Sequence, residues 1–147
     1  MIRLAVVGAG HWGPNLISSF SSSGRSQVRY VVDIDPDRCA AVRSRFPEIE
    51  TRVDLASALE GEDVDAVVIS TPTQSHYELA RQALEAGKHV LVEKPLTDSS
   101  RTSLELCRLA ERAGRILMVG HVFIYNEASR MVKRYIQQGD LGRIYYL

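Results

Sequence analysis

The sequence predicts an α/β fold, a doubly wound parallel sheet, and three observations carry that prediction. Short apolar runs (IRLAVV, VRYVVDI, DAVVIS, HVLVE and RILMVG) alternate with longer segments of helical period. The intervening segments carry helix caps, and alternating strands and helices imply parallel strands joined by crossover helices. A glycine-rich turn follows the first run, at the carboxyl end of a strand, where such sheets bind their ligands.

The elements follow in order. Pro14, after Gly13, suits the first position of a helix, and Gly24 closes that helix in a left-handed cap. Ser18, Ser19 and Ser21 to Ser23 read as its solvated face and frayed end. Asp35-Pro36 starts the second helix. Thr51 to Gly61 holds a weak strand and a short helix begun by Asp54. Ser75-x-x-Glu78 has the form of a capping box after the fourth strand. Gly87, Gly114 and Gly139 end later helices, and Asn126 caps the last one. GDLGRIYYL, Gly139 to Leu147, reads as a turn entering an alternating strand, with Tyr145 and Tyr146 on an edge that invites association.

A chain of 147 residues fits one domain, burying roughly 68–70% of its unfolded surface. The 18 basic and 18 acidic residues cancel, which argues against nucleic acid or an anionic membrane as partner. LAVVGAG is too short for a membrane span and lacks the flanks of a signal peptide. Cys39 and Cys107 show no CxxC and suit reduced thiols packed as small apolar groups, so a cytoplasmic location is expected. No metal site is expected.

VVGAGHWGPN carries Gly8, Gly10 and Gly13 in GxGxxG spacing, with a strand before and a helix after. Gly8 permits the tight turn. Gly10 lets backbone amides approach a pyrophosphate, and Gly13 lets helix and strand pack closely. Asp33 lies 20 residues beyond Gly13, at the end of the second strand. A carboxylate there accepts hydrogen bonds from both adenosine ribose hydroxyls and repels the extra phosphate of NADP, so NAD is the favoured cofactor with NADP open. Ile34 offers an apolar shelf for adenine. Arg38 either reaches a phosphate or pairs with Asp35 one turn back. His11 and Trp12 complete the loop beside the cofactor. S-adenosylmethionine-dependent methyltransferases share such turns but usually place an acid just before the glycines, where this sequence has Val6 and Val7.

Ligands of an open parallel sheet bind outside the carboxyl ends of the strands. Here those ends read Ser70-Thr71-Pro72-Thr73, Glu93-Lys94-Pro95 and Gly120-His121, facing one crevice. His121 at a strand mouth is placed to bond a substrate hydroxyl or to be a buried structural histidine, and Tyr125 faces the same region. His76 sits inside the capping box, with a helix-end role or a cofactor contact. His89 reads as structural.

GxGxxG, the terminal Asp33, TPTQSH and EKP in this order resemble the glucose-fructose oxidoreductase, inositol dehydrogenase and rhizopine catabolism (Gfo/Idh/MocA) family, over nearly the whole chain. HWGPN and VGHVFIYNEASR look like a branch acting on sugars, including nucleotide-linked sugars. The resemblance implies a Rossmann-type NAD(P)-binding domain over residues 1–121. Residues 122–147 would then lead toward a second, substrate-binding α/β domain absent from this chain, which would make the chain a fragment unable to turn over substrate alone. It also implies that Lys94 is catalytic, beside nicotinamide and the substrate hydroxyl. Glu93 and Pro95 would hold the turn, with Pro95 after a cis bond. Thr71 and Pro72 would line the nicotinamide side mainly through backbone, with Thr73 near the crevice and Ser70 a cofactor contact at the strand end. A desolvated lysine beside the positive ring of oxidised nicotinamide is suited to orient a hydroxyl or help remove its proton as hydride leaves. The implied function is an NAD-dependent oxidoreductase acting on a sugar, nucleotide-sugar or cyclitol, a homo-oligomer at full length. The alternative is a stand-alone, non-catalytic NAD(H) sensor, which would need no lysine at a strand end.

Overall fold

The computed structural model describes residues 1–146. Six strands form one sheet: β1 (Ile2–Val7), β2 (Ser26–Val32), β3 (Glu50–Arg52), β4 (Ala66–Ile69), β5 (His89–Val92) and β6 (Leu117–Val119). Their order is β3-β2-β1-β4-β5-β6 and every neighbouring pair is parallel. The chain winds outward from β1 in one direction and from β4 in the other. The loops leaving the two centre strands therefore turn to opposite faces of the sheet, the place where such folds bind their ligands.

The crossovers are α1 (Gly13–Ser22), α2 (Pro36–Arg45), α3 (Leu55–Leu59), α4 (His76–Glu85) and α5 (Ser100–Ala113). α1 and α2 cover one face, where Ile17 and Val42 meet Leu4, Val6, Val28, Val31 and Val68. α3, α4 and α5 cover the other, where Leu55, Leu84 and Leu106 meet Val7, Val67, Ile69, Val90 and Val92. Ile17, Leu84 and Leu106 are fully buried. Each such side chain contributes about 1.5–3 kcal/mol, so the helices register against the sheet through these contacts rather than through helix propensity.

Local signals agree with the sequence in most places. Asp35, Asp54 and Asn126 cap α2, α3 and α6 (Glu127–Gln138) by accepting from the amides of Asp37, Ser57 and Ala128. Gly24, Gly87, Gly114 and Gly139 all have positive φ, and Pro14 is the second residue of α1. His89 is structural, its Nδ1 accepting from the Ile116 amide at 3.0 Å.

Three expectations fail. Ser75 and Glu78 form no capping box, because a short 3-10 turn over Thr73–Ser75 runs straight into α4. Ser75 is already helical in φ and ψ, so its hydroxyl bonds back to Thr71 and the Pro72 carbonyl, while Glu78 pairs with Arg81. Cys107 is exposed on the outer side of α5; Cys39 is buried, its thiol donating to the Asp33 carbonyl. The expected strand after Gly139 is not formed over residues 140–146, and Leu147 lies outside the described residues. A strand exists only with a partner ladder, and among the described residues no strand pairs with this segment.

α6 has no buried residue, and a second 3-10 turn, Val122–Tyr125, joins it to β6. Val122, Phe123, Ile124, Met131, Val132 and Tyr135 are all exposed. Among the described residues no helix is long and apolar enough to cross a membrane, and no three His, Cys, Asp or Glu side chains gather as a metal site.

Candidate functional site

The last register row of the sheet aligns Val32, Val7, Ile69, Val92 and Val119. One residue further, backbone bonds continue: Gly8 N to Val32 O, Ser70 N to Val7 O, Glu93 N to Ile69 O and Gly120 N to Val92 O, all 2.8–2.9 Å. Gly8, Ser70, Glu93 and Gly120 thus stand in one row at the carboxyl edge. The glycine loop, the TPT turn and the EKP turn leave the sheet side by side from this row.

The glycine loop is shaped by close approaches. Gly8 has φ +97°, and a Cβ there would stand 2.9 Å from the Ser70 backbone. A Cβ on Gly13 would collide with the Gly8 carbonyl. That carbonyl also accepts the Ser70 hydroxyl at 2.9 Å, so Ser70 stitches the loop to β4 and its hydroxyl is committed within the protein. At Gly10 a Cβ would meet only Arg38, Nη1 at 3.4 Å. α1 begins without a side-chain cap and without an acidic residue in its first turn. His11 and Trp12 are exposed on the loop with their rings edge to face at 5.7 Å.

Asp33 occupies the end of β2 as expected, but its carboxylate is turned inward and 4% exposed. Oδ2 accepts from the Ala9 amide at 2.7 Å and Oδ1 from the Asp35 amide at 2.9 Å. Arg38 bridges both acids, 3.3 Å from Asp35 and 3.6 Å from Asp33. Of its two sequence readings the ion pair with Asp35 is present, and Asp33 joins it. Ile34 is 89% exposed beside them, an apolar shelf facing solvent.

At the other end of the crevice Lys94 and Pro95 are exposed and the bond between them is cis. Lys94 makes no ion pair among the described residues. Glu93 braces its own turn, accepting from the Lys94 amide at 3.3 Å and lying against Gly120, where a Cβ would be 3.4 Å from its carboxylate. The sequence marks Gly120 only as a strand end; its packing against Glu93, 27 residues away in the chain, is visible only in the fold. Thr71 and Thr73 are half-buried and Pro72 is exposed. His121 and Tyr125 are exposed beyond β6. His76 is the clear misplacement. The residue is 1% exposed and its two ring nitrogens each face a backbone carbonyl oxygen, of Pro95 and of Thr71, at 2.9 Å, so no ring atom faces the crevice.

These residues fit a dinucleotide. Beside Gly10 the neighbour is the end of a flexible, cationic side chain, Arg38, and the uncapped start of α1 favours an anion. Each Asp33 oxygen already accepts a backbone amide, and the small exposed edge of the carboxylate is where a ribose hydroxyl would approach.

Comparison with known proteins agrees. Residues 2–121 match the Gfo/Idh/MocA oxidoreductase family, described as having an NAD-binding Rossmann fold. Inositol 2-dehydrogenase of Rhodococcus erythropolis is 34% identical over 144 residues, covering 97% of this chain and 42% of its own length. The WlbA dehydrogenase of Chromobacterium violaceum, in complex with NADH and UDP-GlcNAcA, superposes with a TM-score of 0.89 at 31% identity, over 98% of this chain and 42% of its own. A 3-ketoreductase from Actinomadura kijaniata, in complex with NADP and TDP-benzene, gives a TM-score of 0.86 at 30% identity, over 94% and 42%. The chain spans less than half the length of these relatives. The shared sheet, the glycine loop and the match over residues 2–121 lead to one conclusion: the chain belongs to the Gfo/Idh/MocA oxidoreductase family and comprises its NAD-binding Rossmann domain.

Proposed function

We propose that this domain serves an oxidoreductase that moves hydride between nicotinamide and the hydroxyl-bearing or keto carbon of a sugar, nucleotide-sugar or cyclitol. The observation that carries the reading is the placement of Lys94, exposed on the turn that leaves the same edge row as Gly8 and Ser70. The glycine loop and the start of α1 would hold the pyrophosphate. Asp33 takes the adenosine ribose, Ile34 and Arg38 flank adenine, and His11 and Trp12 border the loop. Ser70, Thr71, Pro72 and Thr73 face the nicotinamide half, with Glu93 fixing the turn of Lys94.

Bound nicotinamide supplies the hydride acceptor or donor. Lys94 orients the substrate hydroxyl and takes its proton as the carbon is oxidised, or returns it in the reverse direction. His121 and Tyr125 border the substrate. Residues 122–146 lead toward a further substrate-binding domain, a reading supported by the exposed apolar side of α6 and by relatives more than twice as long. One of the relatives described above is an inositol dehydrogenase and another binds a nucleotide-sugar, which favours the enzyme over a sensor. Association of the full protein with itself is supported by exposed Tyr145 and Tyr146, and two free cysteines suit the cytoplasm.

The test uses the full reading frame that contains this chain. Lys94→Ala should abolish NAD-linked oxidation of inositol and related sugars while leaving NADH binding in place. Undiminished oxidation would defeat the assignment.

A further inference from the structure

We infer that His76 is a positioning residue: it ties the turn after β4 to the turn after β5, so that the Thr71 backbone and Lys94 keep a fixed spacing. The inference rests on the reading of those two turns as the nicotinamide side of the crevice.

His76 is the first residue of α4 and is 1% exposed. Its Nδ1 lies 2.9 Å from the Pro95 carbonyl oxygen, and its Nε2 lies 2.9 Å from the Thr71 carbonyl oxygen. A carbonyl only accepts, so each of these bonds takes a proton from the ring. A ring with one N–H holds one turn and presents a lone pair to the other. A ring with two holds both. In the first state the second turn is held by packing against the buried ring; in the second both turns are hydrogen-bonded to it.

No other hydrogen bond among the described residues links Thr71–Ser75 to Lys94–Thr97. The sheet ladder between β4 and β5 ends with Glu93 N to Ile69 O at 2.9 Å, one residue short of Lys94. Beyond that bond the two turns would otherwise be joined by packing alone. A reacting group displaced by about 1 Å loses rate steeply, so a rigid brace behind an exposed lysine has a specific use. Loss of the ring would also leave two carbonyls short of a donor, a cost that general destabilisation would reveal. The experiment must therefore separate positioning from stability.

NADH and ADP-ribose do this on the 147-residue chain, because both share the pyrophosphate and adenosine contacts and only NADH adds nicotinamide. Calorimetry gives both dissociation constants for the unmodified chain, for His76→Phe and for His76→Gln. His76→Phe should weaken NADH about tenfold or more and leave ADP-ribose within about twofold. His76→Gln keeps one donor and should fall between. Equal weakening of both ligands, or an unchanged ratio in a folded variant, would overturn the inference. Should His76→Phe fail to fold, nitrogen NMR of the unmodified chain decides. NADH should shift the His76 ring resonances and ADP-ribose should not; any other pattern overturns the inference. If the unmodified chain binds NADH no tighter than ADP-ribose, the nicotinamide reading fails first, and this inference with it.

Discussion

Asp33 Oδ2 accepts a hydrogen bond of 2.7 Å from the Ala9 amide, so the acid that ends β2 holds the turn that ends β1. The residue that sequence assigns to the cofactor is also a strut of the loop that receives it. Asp33→Ala should therefore lose on two counts. The amides of Ala9 and Asp35 would lack their acceptor, at about 1–3 kcal/mol for each that stays buried. Calorimetry should show NAD binding weakened by at least about tenfold. A variant of unchanged melting temperature and NAD affinity would remove Asp33 from both roles.

Arg38 sits between Asp33 and Asp35 and offsets their charge, and on the proposed cofactor placement a 2′-phosphate would enter there. Arg38→Ala exposes that phosphate to two uncompensated carboxylates. The expected result is a loss of NADP affinity about tenfold greater than the loss of NAD affinity. Equal losses would make Arg38 a surface ion pair without influence on cofactor choice.

Gly13 touches the Gly8 carbonyl so closely that any side chain collides with backbone, which cannot swing aside as a flexible side chain can. Gly13→Ala should cost about 1–3 kcal/mol or more and displace the loop, reducing NAD binding along with thermal stability. Gly24 is the control, because a Cβ there meets nothing within 4 Å; only its φ of +67° opposes alanine. Gly24→Ala should lower the melting temperature slightly and leave NAD affinity intact.

Lys94 is exposed and unpaired among the described residues, so its removal leaves no buried charge behind. In the full-length protein Lys94→Met should reduce kcat by about 10²–10⁴-fold with little change in NADH affinity or melting temperature. A parallel loss of folding would reassign the residue to structure.

Arg3 and Asp65 join β1 to the start of β4 through paired bonds of 2.7 and 3.0 Å, and the guanidinium holds the Asp65 carboxyl well below the usual carboxylate range. A depressed carboxylate contributes stability that is present above the unfolded value, about 4, and is lost as pH falls through the lower folded value. The contribution at neutral pH is small because both side chains are more than one-third exposed. Asp65→Asn should therefore lower the melting temperature slightly at pH 7 and flatten its decline below about pH 4. An acid limb of unchanged slope would show that other carboxylates dominate there.

The sequence alone determined the fold class, because strand and helix periods, aspartate caps and terminal glycines are local chemistry. Asp35, Asp54, Asn126 and the four capping glycines each act within a few residues of themselves, and each was legible. The glycine loop was equally legible, since the spacing of Gly8, Gly10 and Gly13 reports a turn made in sequence order. Tertiary structure alone decided what crosses from one strand to another. Asp33 reaching Ala9, Glu93 filling the space beside Gly120, and His76 bridging Thr71 to Pro95 join residues that only the β3-β2-β1-β4-β5-β6 order brings together. Ser75 and Glu78 matched a capping box, yet the 3-10 turn ahead of α4 removed the extended residue that such a box needs. The segment after Gly139 alternates like a strand and has no ladder to join. A backbone hydrogen bond needs a partner in space, and a pattern along the chain does not name that partner.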